Sequence, residues 1–153
     1  MTSKLTVLIT NHTGITVTSL TRSLKFWRDI VGGKVLYQYH FNKPLYSTIV
    51  GIEDAVFDIA LVAIPGNHTI ELLQYSEPGE RKVYKPRPRD VGSVHVALEV
   101  RGSEEMIRAV AALGWRAMGD EPQVMTRGEG SRWRGPYLRG PDGEVVKLLE
   151  KLE

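Results

Sequence analysis

The feature that most constrains this chain is an internal repeat. Asn11-His12-Thr13-Gly14-Ile15-Thr16-Val17 and Val94-His95-Val96-Ala97-Leu98-Glu99-Val100 each carry an apolar residue three positions after a histidine and a valine two positions later. A helical pattern follows each segment. Leu20, Leu24, Trp27 and Val31 recur at helical spacing in the first half, with Thr18 or Ser19 available as N-cap. Met106, Val110 and Leu113 do so in the second half, where Ser103 can cap and Glu104 and Glu105 suit the positive end of the helix dipole. Gly32-Gly33 and Gly114 stop the two helices. Each half also ends alike. Thr69-Ile70-Glu71-Leu72-Leu73-Gln74-Tyr75 lines up with Val145-Val146-Lys147-Leu148-Leu149-Glu150-Lys151, and a Pro/Gly turn precedes both. Between helix and last strand, the first half offers strands at 34–39 and 56–64, and the second at 116–118 and 133–138. The reading is an α+β chain of two βαβββ modules. Residues 1–76 form the first, 77–92 a linker rich in Pro, Gly and charge, and 93–153 the second.

Composition narrows the function classes. A net charge of +2 on 153 residues gives no reason to expect a nucleic acid or a membrane surface as partner. With no cysteine, disulfide scaffolds, thiolate metal sites and cysteine nucleophiles are excluded. The first ten residues lack the apolar core of a signal peptide, and no apolar run approaches membrane-spanning length, so a cytoplasmic location is expected.

Polar residues inside the repeated strands are the candidates for chemistry. Side chains alternate along a strand, so His12 shares a face with Gly14 and Thr16, and Glu71 with Leu73 and Tyr75. His95 begins an almost wholly apolar run, which predicts burial on both faces. Burying two imidazoles and a carboxylate costs several kcal/mol unless each finds a partner, and one divalent ion satisfies all three. His12, Glu71 and His95 are therefore the expected ligands of Ni, Zn, Fe or Mn, with coordination positions left open for substrate or water. The bland alternative is two hydrogen-bonded histidines and a solvated glutamate. His40 and His68, beside turns, are read that way.

The residues also carry a resemblance. His12-Thr13-Gly14-Ile15-Thr16-Val17-Thr18-Ser19-Leu20 with Ser23-Leu24-Lys25-Phe26-Trp27 is similar to the opening of the vicinal oxygen chelate superfamily. That superfamily includes glyoxalase I, methylmalonyl-CoA epimerase, extradiol dioxygenases, and fosfomycin- and bleomycin-resistance proteins. Ile70-Glu71-Leu72-Leu73-Gln74-Tyr75, His95-Val96-Ala97-Leu98-Glu99-Val100 and Tyr137-Leu138-Arg139-Gly140-Pro141-Asp142-Gly143 match its later motifs. The resemblance implies a glyoxalase-like fold in which two modules form a cupped mixed sheet around a metal. The ligands would come from positions 12, 71, 95 and 147, and the molecule would be a homodimer. Position 147 departs from the pattern: it holds Lys147 where the family often has glutamate, and Glu150 falls on the opposite strand face.

The implied activity is that of a lyase or isomerase of the glyoxalase or epimerase kind on a small oxygen-rich substrate. The rivals are an extradiol-type dioxygenase and a metal-free drug-binding protein of the bleomycin-resistance type. Glu71 would be both ligand and base. Lys147 has three readings: acid/base or anion anchor in the cavity, partner of Glu71 in the metal's place, or a solvated side chain. Tyr75, on the face of Glu71, is a candidate substrate contact. So is Arg134, in the basic stretch 127–139, whose arginines either grip an anionic substrate or line an exposed face. The linker and the loop 40–52 with Tyr46 are candidate lids.

Overall fold

A computed structural model describes residues 5–79, 81–120 and 123–152. Of the expected N-terminal segment 1–10 and linker 77–92, positions 1–4 and 80 lie outside the described residues. The chain divides into two compact units, Met1–Gly79 and Glu80–Glu153. Among the described residues, no helix is long and apolar enough to cross a membrane.

The first unit runs β1 (Thr13–Thr16), α1 (Leu20–Leu24), β2 (Lys34–Phe41), α2 (Pro44–Val50), β3 (Val56–Ile64) and β4 (His68–Glu77). Its sheet order is β1-β4-β3-β2, with β1 parallel to β4 and the other pairs antiparallel. Ser19 caps α1, its Oγ accepting from the Arg22 N–H. Lys25–Ile30 then continues the helix in π-helical form, which buries Phe26 and Trp27 side by side with their rings edge to face. These side chains, with Leu20 and Leu24, lie in a core with Ala60, Val62, Ile70 and Leu72, one face of β3 and β4. Only one face of the sheet meets α1, so strand residues alternate between buried and accessible.

The second unit runs β5 (Val96–Glu99), α3 (Ser103–Ala111), β6 (Arg116–Ala117), β7 (Val124–Arg127), β8 (Ser131–Arg134), β9 (Tyr137–Arg139) and β10 (Val145–Leu152). β5 is parallel to β10, while β9 and β8 run antiparallel along it. Val110, Trp115, Leu138, Val145, Val146 and Leu148 are buried core residues of this unit.

The register makes the repeat quantitative. Gly14 pairs with Glu71, and Ala97 with Lys147, so each last-strand residue stands opposite the residue two after the module's histidine. Both pairings continue with the same backbone bond, Val17 N–H to Leu73 O and Val100 N–H to Leu149 O, each 2.8 Å. Three positions beyond Glu71 and Lys147, the last strand reaches its own helix. Gln74 Oε1 accepts from the Leu20 N–H at 2.7 Å. Glu150 accepts from the Gly102 N–H (2.7 Å), the Ser103 N–H (3.3 Å) and the Ser103 hydroxyl (2.6 Å). The cap expected from Ser103 is thus supplied by Glu150; Ser103 itself lies inside the helix and is buried.

The Ser103 hydroxyl, aided by both backbone N–H groups and by Arg134, holds the Glu150 carboxyl below its ordinary range against the opposing effect of burial. A lowered folded-state value stabilises the fold above the unfolded carboxylate value of about 4.3, and that contribution disappears as pH falls through the folded value. Glu150→Ala is expected to lose about 1–2 kcal/mol near neutral pH, the usual cost of a lost helix cap. Urea unfolding should show the gap between wild type and variant closing below about pH 4.

Three expectations are corrected. The strand expected at 133–138 is two pieces, β8 and β9, in one register along β10 and interrupted at Gly135-Pro136, because proline has no N–H to donate. The loop expected at 40–52 contains the end of β2 and the helix α2. Tyr46, Val50 and Ile52, with Phe41 and Tyr75, pack there on Ala55, Phe57 and Ile59. His95 is not buried on both faces: it is exposed, and its neighbour Val94 is 78% accessible. Among the described residues of its unit, β5 pairs with β10 alone.

Candidate functional site

In the first unit the structure brings together His12, Glu71 and Tyr75. His12 immediately precedes β1, and Glu71 sits at the centre of β4 beside Gly14. Their side chains meet with His12 Nε2 3.3 Å from Glu71 Oε2, at accessibilities of 36% and 20%. The other imidazole nitrogen, Nδ1, is 2.8 Å from Asn11 Oδ1. That contact leaves the ring with Nε2 toward the carboxylate, where a proton or a metal ion between Nε2 and Oε2 would satisfy both atoms. Gly14 faces this carboxylate, and a Cβ there would make only ordinary contact with Glu71 Oε2, at 3.9 Å.

Tyr75 lies two residues beyond Leu73 and four beyond Glu71, on the same face of β4. Burial first, and the Glu71 charge second, push its phenol above the ordinary value, so it remains a hydrogen-bond donor through neutral pH. Beside it runs a row of aromatic rings. Phe57 is 4.8 Å from Tyr75, Phe41 stacks on Phe57 at 4.9 Å, and Tyr46 of α2 meets Phe41 edge-on at 4.4 Å.

In the second unit the structure brings together His95, Tyr137 and Lys147. The Lys147 Nζ lies over the Tyr137 ring, 4.9 Å from its centroid, and the His95 ring meets the same tyrosine edge-on at 5.2 Å. Arg134 stands elsewhere. It pairs in register with Glu150, on the opposite face from Lys147, and bonds Glu104 at 2.8 Å with Glu150 at 3.7 Å. His40 bonds Asp58 at 2.8 Å, and His68 bonds the Thr13 hydroxyl at 2.9 Å. Among the described residues, neither unit alone gathers three His, Asp or Glu side chains into a metal-holding group.

Asn11 and Tyr137 are site neighbours that sequence reasoning does not single out. Adjacency to His12 is the available signal for Asn11; for Tyr137 it is strand parity, hidden by the break at Gly135-Pro136.

Residues 11–132 match the Glyoxalase/Bleomycin resistance protein/Dioxygenase superfamily. The chain belongs to that superfamily. Glyoxalase-like α+β structures accompany the match. A glyoxalase family protein from Bacillus cereus shares 22% identity with a TM-score of 0.82, covering 100% of both chains. The trypanothione-dependent glyoxalase I of Leishmania major shares 19% identity, with a TM-score of 0.58 over 91% of this chain and 84% of that one. A fosfomycin resistance protein from Listeria monocytogenes shares 16% identity, with a TM-score of 0.61 over 95% and 94%. At these identities the likeness is one of fold. No curated protein sequence matches this chain closely.

Proposed function

We propose that this superfamily member is a metal-dependent lyase or isomerase of a small oxygen-rich substrate. The observation that carries the reading is the convergence of His12 Nε2 and Glu71 Oε2 at 3.3 Å, with the imidazole turned by Asn11. His12 and Glu71 are the proposed ligands, and His95, the register equivalent of His12, is the further ligand that the repeat supplies. Two imidazoles and a carboxylate suit Ni, Zn, Fe or Mn. Bound there, such an ion would supply Lewis-acid polarisation of a carbonyl, enolate or diol oxygen.

The chain's own groups do the rest. Glu71 has a second carboxylate oxygen with which to take and return a proton. Tyr75 donates a hydrogen bond from the same face, and the Phe41–Phe57 rings form an apolar wall beside it. Lys147 adds positive charge in the second unit. Arg134, held by Glu104 and Glu150, is left out of the proposed site. A homodimer and a cytoplasmic location are part of the same proposal.

Metal analysis of protein purified without chelators or a metal-binding tag tests this. About one equivalent of a transition metal is expected, falling below about a tenth in His95→Ala, because a functional site is nearly filled. Less than a tenth in wild type, unchanged in the variant, overturns the reading in favour of a metal-free binding protein. Iron together with oxygen uptake on catechols favours the dioxygenase chemistry instead.

A further inference from the structure

We propose that the second unit carries an anion site of its own, in which Lys147, set against Tyr137 and His95, takes a carboxylate or similar planar oxyanion directly. Lys147 is half-buried at the centre of β10, between Ala97 and Tyr137 in register. Among the described residues none of the ion pairs involves it. Of the acids of its unit, Glu104 and Glu150 pair with Arg134, Asp90 with Arg87, and Glu105 with Arg108, while Glu99, opposite Leu149 in register, is in none of these ion pairs. The tyrosine ring at 4.9 Å is its aromatic contact. A ring face is a weaker partner than a carboxylate, and it leaves ammonium N–H donors to be used.

Gly135 lies beside Lys147: a Cβ there would be 2.7 Å from Met125 Cε and in ordinary contact, 3.4 Å, with Lys147 Cε. His95, edge-on to the same ring, adds a second polar group 5.2 Å from its centre. The two units therefore differ in sign at one register position. Glu71 beside His12 is built for a cation, and Lys147 near His95 for an anion.

This names a ligand class: a small acid whose carboxylate meets Lys147. Anion binding of this kind does not depend on the metal reading above. Oxalate is the probe, titrated calorimetrically into the full-length protein at fixed ionic strength, before and after EDTA treatment. Saturable binding is expected, within about threefold after EDTA and weakened at least about tenfold in Lys147→Gln. In lysine-labelled wild type the Lys147 side-chain resonance should shift with the same affinity, a readout that does not depend on a variant folding. Affinity unchanged in Lys147→Gln, or a Lys147 resonance that does not move, overturns the proposal. Binding abolished by EDTA also overturns it, since the oxalate would then sit on a metal. A wild type without metal that still binds oxalate through Lys147 sinks the metal reading and leaves the anion site standing.

Discussion

Glu71→Gln is expected to lower affinity for the divalent ion by on the order of a hundredfold while the fold stays intact. The amide keeps the shape of the side chain and replaces an anionic oxygen donor with a neutral one. A hundredfold corresponds to about 2.7 kcal/mol. The effect on folding is much smaller, because β4 is held by backbone pairing to β1 and β3, which the substitution does not touch. The His12–Glu71 pair is itself partly exposed, and such pairs contribute about 1 kcal/mol or less to stability. Metal titration and urea unfolding on the same preparation separate the two quantities. Tyr75 provides an independent check. Burial is the main cause of its raised phenol value and Glu71 the lesser one, so the variant's phenol should titrate slightly lower while staying above the ordinary value. Equal losses of metal affinity and folding stability would mean that Glu71 is structural.

What the sequence discloses and what it hides follow from the range of the interactions. The repeat is legible because strand parity and helical spacing are local: His12 and His95, Glu71 and Lys147 occupy matching register positions, as their spacing implies. The helix caps from Gln74 and Glu150 are not legible, since donor and acceptor are 54 and 48 residues apart. Capping rules look for Ser or Asp beside the helix, and Ser103 satisfies them in sequence while Glu150 satisfies the backbone in space. The exposure of His95 is hidden for another reason. An apolar run reads as buried on both faces, but among the described residues of its unit β5 pairs along one side alone, with β10. The α2 helix, seven residues opened by Pro44, is too short to display a period. Charge groups Arg134 with its sequence neighbours, while its register with Glu150 assigns it to the start of α3, where Glu104 lies.

Lys147→Glu should exchange the sign of the second unit's site, with oxalate binding lost and affinity for a divalent ion increased. The backbone is already suited to the change. A glutamate at position 147 would stand opposite Ala97 as Glu71 stands opposite Gly14, one strand away from a histidine in the same relative place. The methyl of Ala97 is no obstacle, because a Cβ at position 14 would make only ordinary contact, 3.9 Å, with the Glu71 carboxylate. The imidazole is less well prepared. His12 is turned by Asn11, whereas the residue before His95 is Val94, which has no polar side-chain group, and the ring rests against Tyr137 instead. Outer hydrogen bonds of this kind are worth about 10–100-fold in metal affinity. The single substitution is therefore expected to gain only about tenfold, and adding Val94→Asn should gain on the order of a further tenfold. Competition titrations with Zn(II) or Ni(II) measure both steps. If Lys147→Glu leaves metal affinity unchanged and Val94→Asn adds nothing, the register equivalence of the two units has no chemical consequence, and the site must be built without His95.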